Sequence, residues 1–227
     1  MRDDMPYITY LDIQNSNILA YTGTQGTNGT SIITYPENEI SAYSFSLRKN
    51  LEMIIMPENL TSIGYGCFSW CTAITNIFLP NSVVSIDDWA FLDCENLQTI
   101  NYPPLLNNIG DLAFGSCLKL ESVSFPPELT IIKNASFENC TSLTNINIPE
   151  TVQEIEQLAF HSCTGLSMIS IPNSVTSIGR AAFLDCSGLN QFIVNKAEPV
   201  DVSYHEHVFE GIDMSNCILL VPSGSAD

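Results

Sequence analysis

Residues 86–108 read IDDWAFLDCENLQTINYPPLLNN, and this stretch decides the fold because its pattern recurs every 23 residues. Apolar residues and prolines occupy the same positions in each copy. The phenylalanine column comprises Phe45, Phe68, Phe91, Phe114, Phe137, Phe160 and Phe183, and the cysteine column comprises Cys71, Cys94, Cys117, Cys140, Cys163 and Cys186. Columns of Ile, Leu and Pro share the same period, so the chain is an array of repeats.

The two halves of the repeat differ in periodicity. Ala90 and Cys94 are four residues apart, which is typical of one face of a short helical stretch. Ile100 and Tyr102 alternate with a polar residue, as the inward residues of a strand do. Pro103 ends the strand because its nitrogen has no hydrogen to donate to a neighbouring strand. Each repeat is therefore predicted to hold one short helical turn and one strand.

A unit of 23 residues cannot bury its apolar face alone, whereas stacked units form a continuous core. We predict an α/β repeat solenoid, a right-handed leucine-rich-repeat-like stack with a parallel sheet on one face and short helical turns on the other. Each turn of the stack is a rung. The predicted parts are an N-terminal cap at 1–39, seven repeats at 40–195 and a C-terminal capping rung at 196–227. Residues 33–36 imitate the strand at 54–57 and predict a degenerate rung within the N-terminal cap.

The repeat resembles that of the BspA-like leucine-rich-repeat family. The resemblance lies in SVTSIGRAAFLDCSGL at 174–189 and in the closing VPSGS at 221–225, and it extends over about residues 40–227. It implies a surface or secreted protein, mostly of gut and oral bacteria and in some cases of parasitic protists. It also implies adhesion to host matrix proteins or to other cells. The resemblance names no partner and brings no catalytic motif with the fold.

The composition is apolar enough for a core and strongly acidic. Hydrophobic residues make up 45% of the chain, and 25 Asp and Glu against 7 Lys and Arg give a net charge of −18. Such a surface repels phosphate backbones and anionic lipid, so neither nucleic acid nor membrane is an expected partner. No apolar run approaches the length of a membrane-spanning helix. The first residues lack the apolar core of a signal peptide, so any export signal is not part of this sequence or never existed. The extracellular or cell-surface location that we expect is what the resemblance implies.

The eight cysteines do not indicate a disulfide framework. Six of them share an inward column, where their side chains point in parallel, and a disulfide needs a dihedral angle near 90° across the sulfurs. We therefore predict free, buried thiols in this column. Cys67 replaces the small Ala of its repeat and is expected in the core. Cys217 is outside the column, and either an exposed thiol or an inward position in the C-terminal cap fits it.

Candidate chemistry in the sequence is sparse. His205 and His207, with a nearby carboxylate, could bind zinc, although such pairs are common in surface loops. Asp87 and Asp88 could serve in glycoside hydrolysis or bind calcium, but a solvated face of an acidic protein is the favoured interpretation. His161 is expected to be solvated on the convex turn. We predict no catalytic residue, no metal site and no cofactor, and hence no enzyme.

The outward positions of the predicted sheet are mostly Asn, Ser and Thr. Met53, Ile55 and Phe78 are the exception, because they place an apolar patch at the N-terminal end of a face that should be wet. Solenoids usually bind through their concave sheet face. We predict that these three residues bind a protein or glycan ligand, including a host matrix protein. The alternative is that residues 1–39 fold over the patch and make it part of the core.

The leading hypothesis for function is a non-catalytic cell-surface or secreted binding module, active in adhesion or in recognition of proteins or glycans through the sheet face. One alternative is a polysaccharide-active enzyme on a parallel solenoid. An enzyme would be expected to break the repeat and to cluster carboxylates or His on one face, yet the columns persist from Ile40 to Val194. The other alternative is a structural spacer that carries a further domain.

Overall fold

The structure, a computed structural model, describes residues 7–19, 21–23, 33–35, 37–195, 207–213 and 215–220. These residues form short strands joined by turns. In chain order the strands are β1 (Tyr10–Asp12), β2 (Tyr21–Gly23), β3 (Ile33–Tyr35), β4 (Glu39–Ile40), β5 (Met53–Ile55), β6 (Ser62–Ile63), β7 (Asn76–Ile77), β8 (Ser85–Ile86), β9 (Thr99–Ile100), β10 (Asn108–Ile109), β11 (Ser122–Ser124), β12 (Ile131–Ile132), β13 (Asn145–Asn147), β14 (Glu154–Ile155), β15 (Met168–Ile171), β16 (Ser177–Ile178), β17 (Gln191–Val194) and β18 (Ile218–Leu220).

Each repeat contributes one strand to each of two walls of a parallel solenoid. On the main sheet wall, β1 pairs with β5, β7 pairs with β9, and β11, β13, β15, β17 and β18 pair in that order. On the lateral wall, β4, β6, β8 and β10 pair in order, and so do β12, β14 and β16. The register advances by one repeat per rung, as in the pairing of Ile63 with Ile86. The predicted parallel stack is therefore confirmed.

The short helical turns are not confirmed, because the described residues contain no helix, and so none long and apolar enough to cross a bilayer. Consecutive turns connect the lateral wall to the main sheet. Trp89 and Asp93, four residues apart, have φ values of 63° and 57°. Such left-handed conformations interrupt an α-helix. The turns are instead hydrogen-bonded between rungs, as where the Phe91 N–H donates to the Ala113 carbonyl oxygen at 2.8 Å. The handedness of the solenoid stays a prediction.

A continuous stack of phenylalanine rings runs through the core. The rings of Phe91 and Phe114 are nearly parallel, with centroids 5.3 Å apart. Phe209 follows Phe183 by more than one period, yet its ring continues the stack at 6.1 Å. The C-terminal cap therefore joins the core although it leaves the 23-residue spacing.

The cysteine column is buried and reduced, as predicted. All eight cysteines are free, and all but the half-buried Cys217 are buried. Burial raises the pKa of the Cys140 and Cys186 thiols to about 12. Thiols held in the neutral form are poor nucleophiles and poor metal ligands. The column is therefore part of the core.

The rung that precedes the first full repeat is formed by β1 and not by residues 33–35, the described part of the predicted strand at 33–36. Tyr10, Leu11 and Asp12 align with Met53, Ile54 and Ile55 of β5. Strand β3, in contrast, pairs antiparallel with β2. Because β1 already occupies the edge of β5, the predicted strand at 33–36 cannot add there. The boundaries of both caps stay predictions.

Candidate binding surfaces

The predicted apolar patch lies on the outward face of the main sheet at its N-terminal end. Met53 is 52% exposed and Phe78 is 74% exposed, while Ile55 is half-buried. Tyr10, aligned with Met53 and 51% exposed, adds an aromatic side chain to the same face. Strand β1 thus extends the sheet beside the patch and leaves Met53 and Phe78 open to solvent. Whether this patch binds a partner stays a prediction.

Sequence reasoning missed Tyr10 because β1 is off the repeat period. Leu11, the inward residue of β1, precedes Ile54 by 43 residues, which is not a multiple of 23. The available signal was local, since Leu11 and Ile13 alternate with Asp12. That alternation predicts a strand but does not assign it to a rung.

The polar side chains next to the patch are engaged with one another and with the main chain. Asn101 accepts a hydrogen bond from the Leu79 N–H at 2.6 Å and donates one to the Leu79 carbonyl oxygen at 2.8 Å. Thr99 donates its hydroxyl hydrogen to Asn76 Oδ1 at 2.5 Å. These bonds fix the strand ends around Phe78, so the exposed ring projects from an ordered polar surface.

The histidines form no metal site within the described part of the chain. His161 is half-buried rather than fully solvated, because its Nδ1 lies 2.8 Å from Glu138 Oε1 in the preceding rung. Its Nε2 lies 3.8 Å from Asp185 Oδ2 on the other side. His207 pairs through Nδ1 with Glu210, and His205 lies outside the described residues.

The two candidate carboxylates on the turn support the wall of the solenoid. Asp88 Oδ1 accepts the Asp111 N–H at 2.8 Å in the next rung. Asp87 Oδ1 accepts the Ser85 hydroxyl at 2.7 Å. Both residues are half-buried and hydrogen-bonded, whereas the sequence favoured a solvated face for them.

A polar groove of about 380 Å³ opens beside the lateral wall. Its lining combines three carboxylates, one guanidinium, two amides, a hydroxyl and a glycine, from Asp111, Asn134, Glu154, Glu156, Gln157, Ser177, Gly179 and Arg180. Part of this lining is structural, because Glu156 Oε2 accepts the Asn134 N–H at 2.8 Å. The lining contains no apolar side chain to anchor a partner, so the patch on the main sheet is the stronger candidate surface.

A parallel solenoid whose rungs repeat one strand–turn–strand unit defines a leucine-rich-repeat type of protein. The family model described as "BspA type Leucine rich repeat region (6 copies)" matches residues 25–140 and 107–220. The chain belongs to this family, as the resemblance of the repeat indicated. Proteins of this kind are generally binding or structural modules.

Solved structures agree with this assignment. The chain is similar to a leucine rich cell surface protein of Faecalibacterium prausnitzii A2-165, with 27% identity and a TM-score of 0.67 over 83% of this chain. It spans 48% of that protein, about half its length. It is also similar to the leucine rich repeat protein TpLRR of T. pallidum, with 25% identity and a TM-score of 0.66 over 75% of this chain and 87% of that one. No curated protein matches the chain.

Proposed function

We propose that the chain is a non-catalytic binding module, on the cell surface or secreted, that recognises a protein or glycan through the outward face of the main sheet. The observation that carries the proposal is the exposed apolar patch of Met53, Ile55 and Phe78, joined by Tyr10, at one end of a polar sheet. In the middle rungs of this face the outward side chains are mostly Asn, Ser and Thr. At the other end of the face, Met168, Ile218 and Leu220 are also exposed.

The composition of the patch suits an interface. Aromatic residues and Met are enriched at interfaces, and energetically dominant contacts cluster where such side chains are desolvated by the partner. Phe78 is the most exposed member and would lose the most water-accessible area on binding. The net charge of −18 would steer a basic partner toward the protein without supplying most of the affinity.

The proposed location rests on a relative, and the proposed partner class rests on the resemblance of the repeat. The F. prausnitzii structure is that of a leucine rich cell surface protein, which supports a surface location for this chain as well. Adhesion to a host matrix protein is consistent with that location. The unbroken repeat supports a binding module over a polysaccharide-active enzyme, since the residue columns persist from Ile40 to Val194 without an insertion.

A binding array of matrix proteins and glycans, probed with the wild-type protein and a triple variant, tests the proposal. The variant carries Met53→Ser, Ile55→Ser and Phe78→Ser. Serine occupies the equivalent positions of later rungs, at Ser122 and Ser124, so we expect the variant to fold. Loss of the array signal with an unchanged melting temperature would support the patch as the binding site.

The matched control replaces outward apolar residues at the other end of the same columns. Met168→Ser and Ile193→Ser change these residues, which lie on β15 and β17. We expect this control to bind as the wild type does. A triple variant that keeps full binding places the site elsewhere, and a wild-type protein that binds nothing on the array favours a structural spacer.

A further inference from the structure

A second aromatic surface lies on the turns between the lateral wall and the main sheet, and we name it the aromatic row. It consists of Tyr43, Tyr65 and Trp89. The ring centroids of Tyr43 and Tyr65 are 5.2 Å apart at 72°, and those of Tyr65 and Trp89 are 5.2 Å apart at 36°. The Trp89 side chain is 36% exposed. Three rungs thus present contacting aromatic rings at the surface.

Gly66 makes room for the row. It has a φ of 56°, and a Cβ added to it would lie 2.6 Å from Cε1 of Tyr43. Any larger residue would therefore clash with the Tyr43 ring in its present position. Tyr43, Gly66 and Trp89 occupy the same position of successive repeats, so a glycine between two aromatic residues lets Tyr43 contact Tyr65.

Stacking of the rungs does not require these rings. At the position of Trp89, the later repeats hold smaller residues, namely Leu112, Ala135, Leu158 and Ala181. Several of them, including Ala135 and Ala181, adopt the same positive φ, so the turn forms with a small side chain. The aromatic row is confined to the N-terminal rungs, although the turn itself recurs throughout.

Three carboxylates, those of Glu39, Asp87 and Asp88, precede aromatic residues of the row along the chain. The pKa of Tyr65 is raised to about 12, first by burial, then by its hydrogen bond with Tyr43, and also by the charge of Asp88. The pKa of Glu39 is raised by burial and by the charge of Asp87. Within the described residues, no Lys or Arg forms an ion pair with any of these three carboxylates. In this described part of the chain, the charge of these carboxylates is therefore not neutralised by an ion pair with Lys or Arg.

We propose that the aromatic row binds a Lys- or Arg-rich extended segment of a partner protein, with a cationic head over Trp89 and Tyr65 and the carboxylates of Asp87 and Asp88 beside it. Cations are attracted to the faces of Trp and Tyr rings, and a neighbouring carboxylate adds to that attraction. The net charge of −18 favours such a segment over an acidic one. This surface lies on the turns, so the inference does not depend on the proposed function of the main sheet.

Tryptophan fluorescence tests the inference directly, because Trp70 and Trp89 are the two tryptophans of the chain. Trp70→Ser leaves Trp89 as the sole fluorophore. Ser116 and Ser162 occupy the position of Trp70 in later rungs with positive φ, so this substitution is accommodated. Titration of the variant with hexaarginine should change the Trp89 emission saturably. An emission that does not change on saturation with peptide overturns the inference.

Calorimetry then compares two matched variants of equal net charge. Trp89→Ala should weaken hexaarginine binding about fivefold, since a cation–π contact at an exposed site has that magnitude. Trp70→Ser removes an indole that is 42% exposed on the same wall and should bind as the wild type does. Equal affinities of Trp89→Ala and the wild type overturn the inference.

A second pair of variants separates the site from general attraction to an acidic protein. Asp88→Asn removes one carboxylate and keeps the oxygen that accepts the Asp111 N–H, and Asn134 occupies the equivalent position two rungs later. Glu128→Gln removes one exposed carboxylate from a distant turn. Asp88→Asn should weaken hexaarginine binding severalfold more than Glu128→Gln. Equal effects, or binding of neutral maltohexaose in place of hexaarginine, would show that the row is not a cation site.

Discussion

The thiol of Cys94 donates a hydrogen bond to the carbonyl oxygen of Phe68 in the preceding rung, with Sγ and O 3.1 Å apart. The same carbonyl oxygen accepts the Cys71 N–H at 3.0 Å within its own rung. Every member of the column makes this contact, between 3.0 and 3.3 Å. A cysteine at this position therefore links adjacent rungs by a second hydrogen bond to a buried carbonyl oxygen, which a purely apolar residue of similar size would not make.

Removal of this thiol should destabilise the stack. Cys94→Ala deletes a donor and leaves a small cavity, so we expect the free energy of unfolding to fall by about 1–3 kcal/mol. Urea unfolding followed by circular dichroism measures the change. Cys217→Ala, which alters a half-buried thiol outside the column, should change stability much less. Identical midpoints for Cys94→Ala and the wild type would show that the bond contributes nothing.

The thiols should be accessible only after unfolding. Seven cysteines are buried and free, so titration with a thiol reagent should find Cys217 at most in the native protein and all eight in denaturant. Mass spectrometry of the alkylated, unreduced protein gives an independent count. Detection of three or four disulfides would contradict the reduced column.

Stability should decline at alkaline pH. Burial raises the pKa of Cys140 from 9.0 to about 12, so the folded protein keeps a proton that the unfolded chain releases. The stabilisation is therefore complete below pH 9 and is lost as the pH rises towards 12. Each such thiol lowers the free energy of unfolding by about 1.4 kcal/mol per pH unit in this window. In Cys140→Ala, the slope of the free energy of unfolding against pH should be smaller by the contribution of one thiol. An unchanged slope would contradict this account.

The phenylalanine stack should be the most sensitive part of the core. Phe114 is fully buried between Phe91 and Phe137, with ring centroids at 5.3 and 5.4 Å. Phe114→Ala should cost about 3–5 kcal/mol, because a large cavity opens in the middle of the stack. Phe78→Ala removes the same side chain from an exposed position and should change stability little. Thermal unfolding compares the two, and similar losses in both variants would contradict the inward assignment of the column.

The repeat period predicted most of the architecture. Residues 23 apart in sequence occupy equivalent places in successive rungs, so the Phe, Cys and Ile columns could be assigned to the core without coordinates. Strand alternation likewise predicted that Met53 and Phe78 point outward, and both are exposed. The turns were harder, since the spacing of Ala90 and Cys94 fits a helix as well as a turn with positive φ at Trp89 and Asp93.

The sequence by itself determined the family, the stacked fold, the inward columns and the outward position of the apolar patch, because all of these follow from a period and an alternation. Only the tertiary structure decided that β1 is the first rung, that the column thiols donate to Phe carbonyl oxygens, and that Tyr43, Tyr65 and Trp89 are in contact. The physical reason for β1 is that the connection to β5 is off the 23-residue period, and the other contacts join different positions of neighbouring repeats. Their offset along the chain depends on how far one rung is displaced over the next, which the period does not specify.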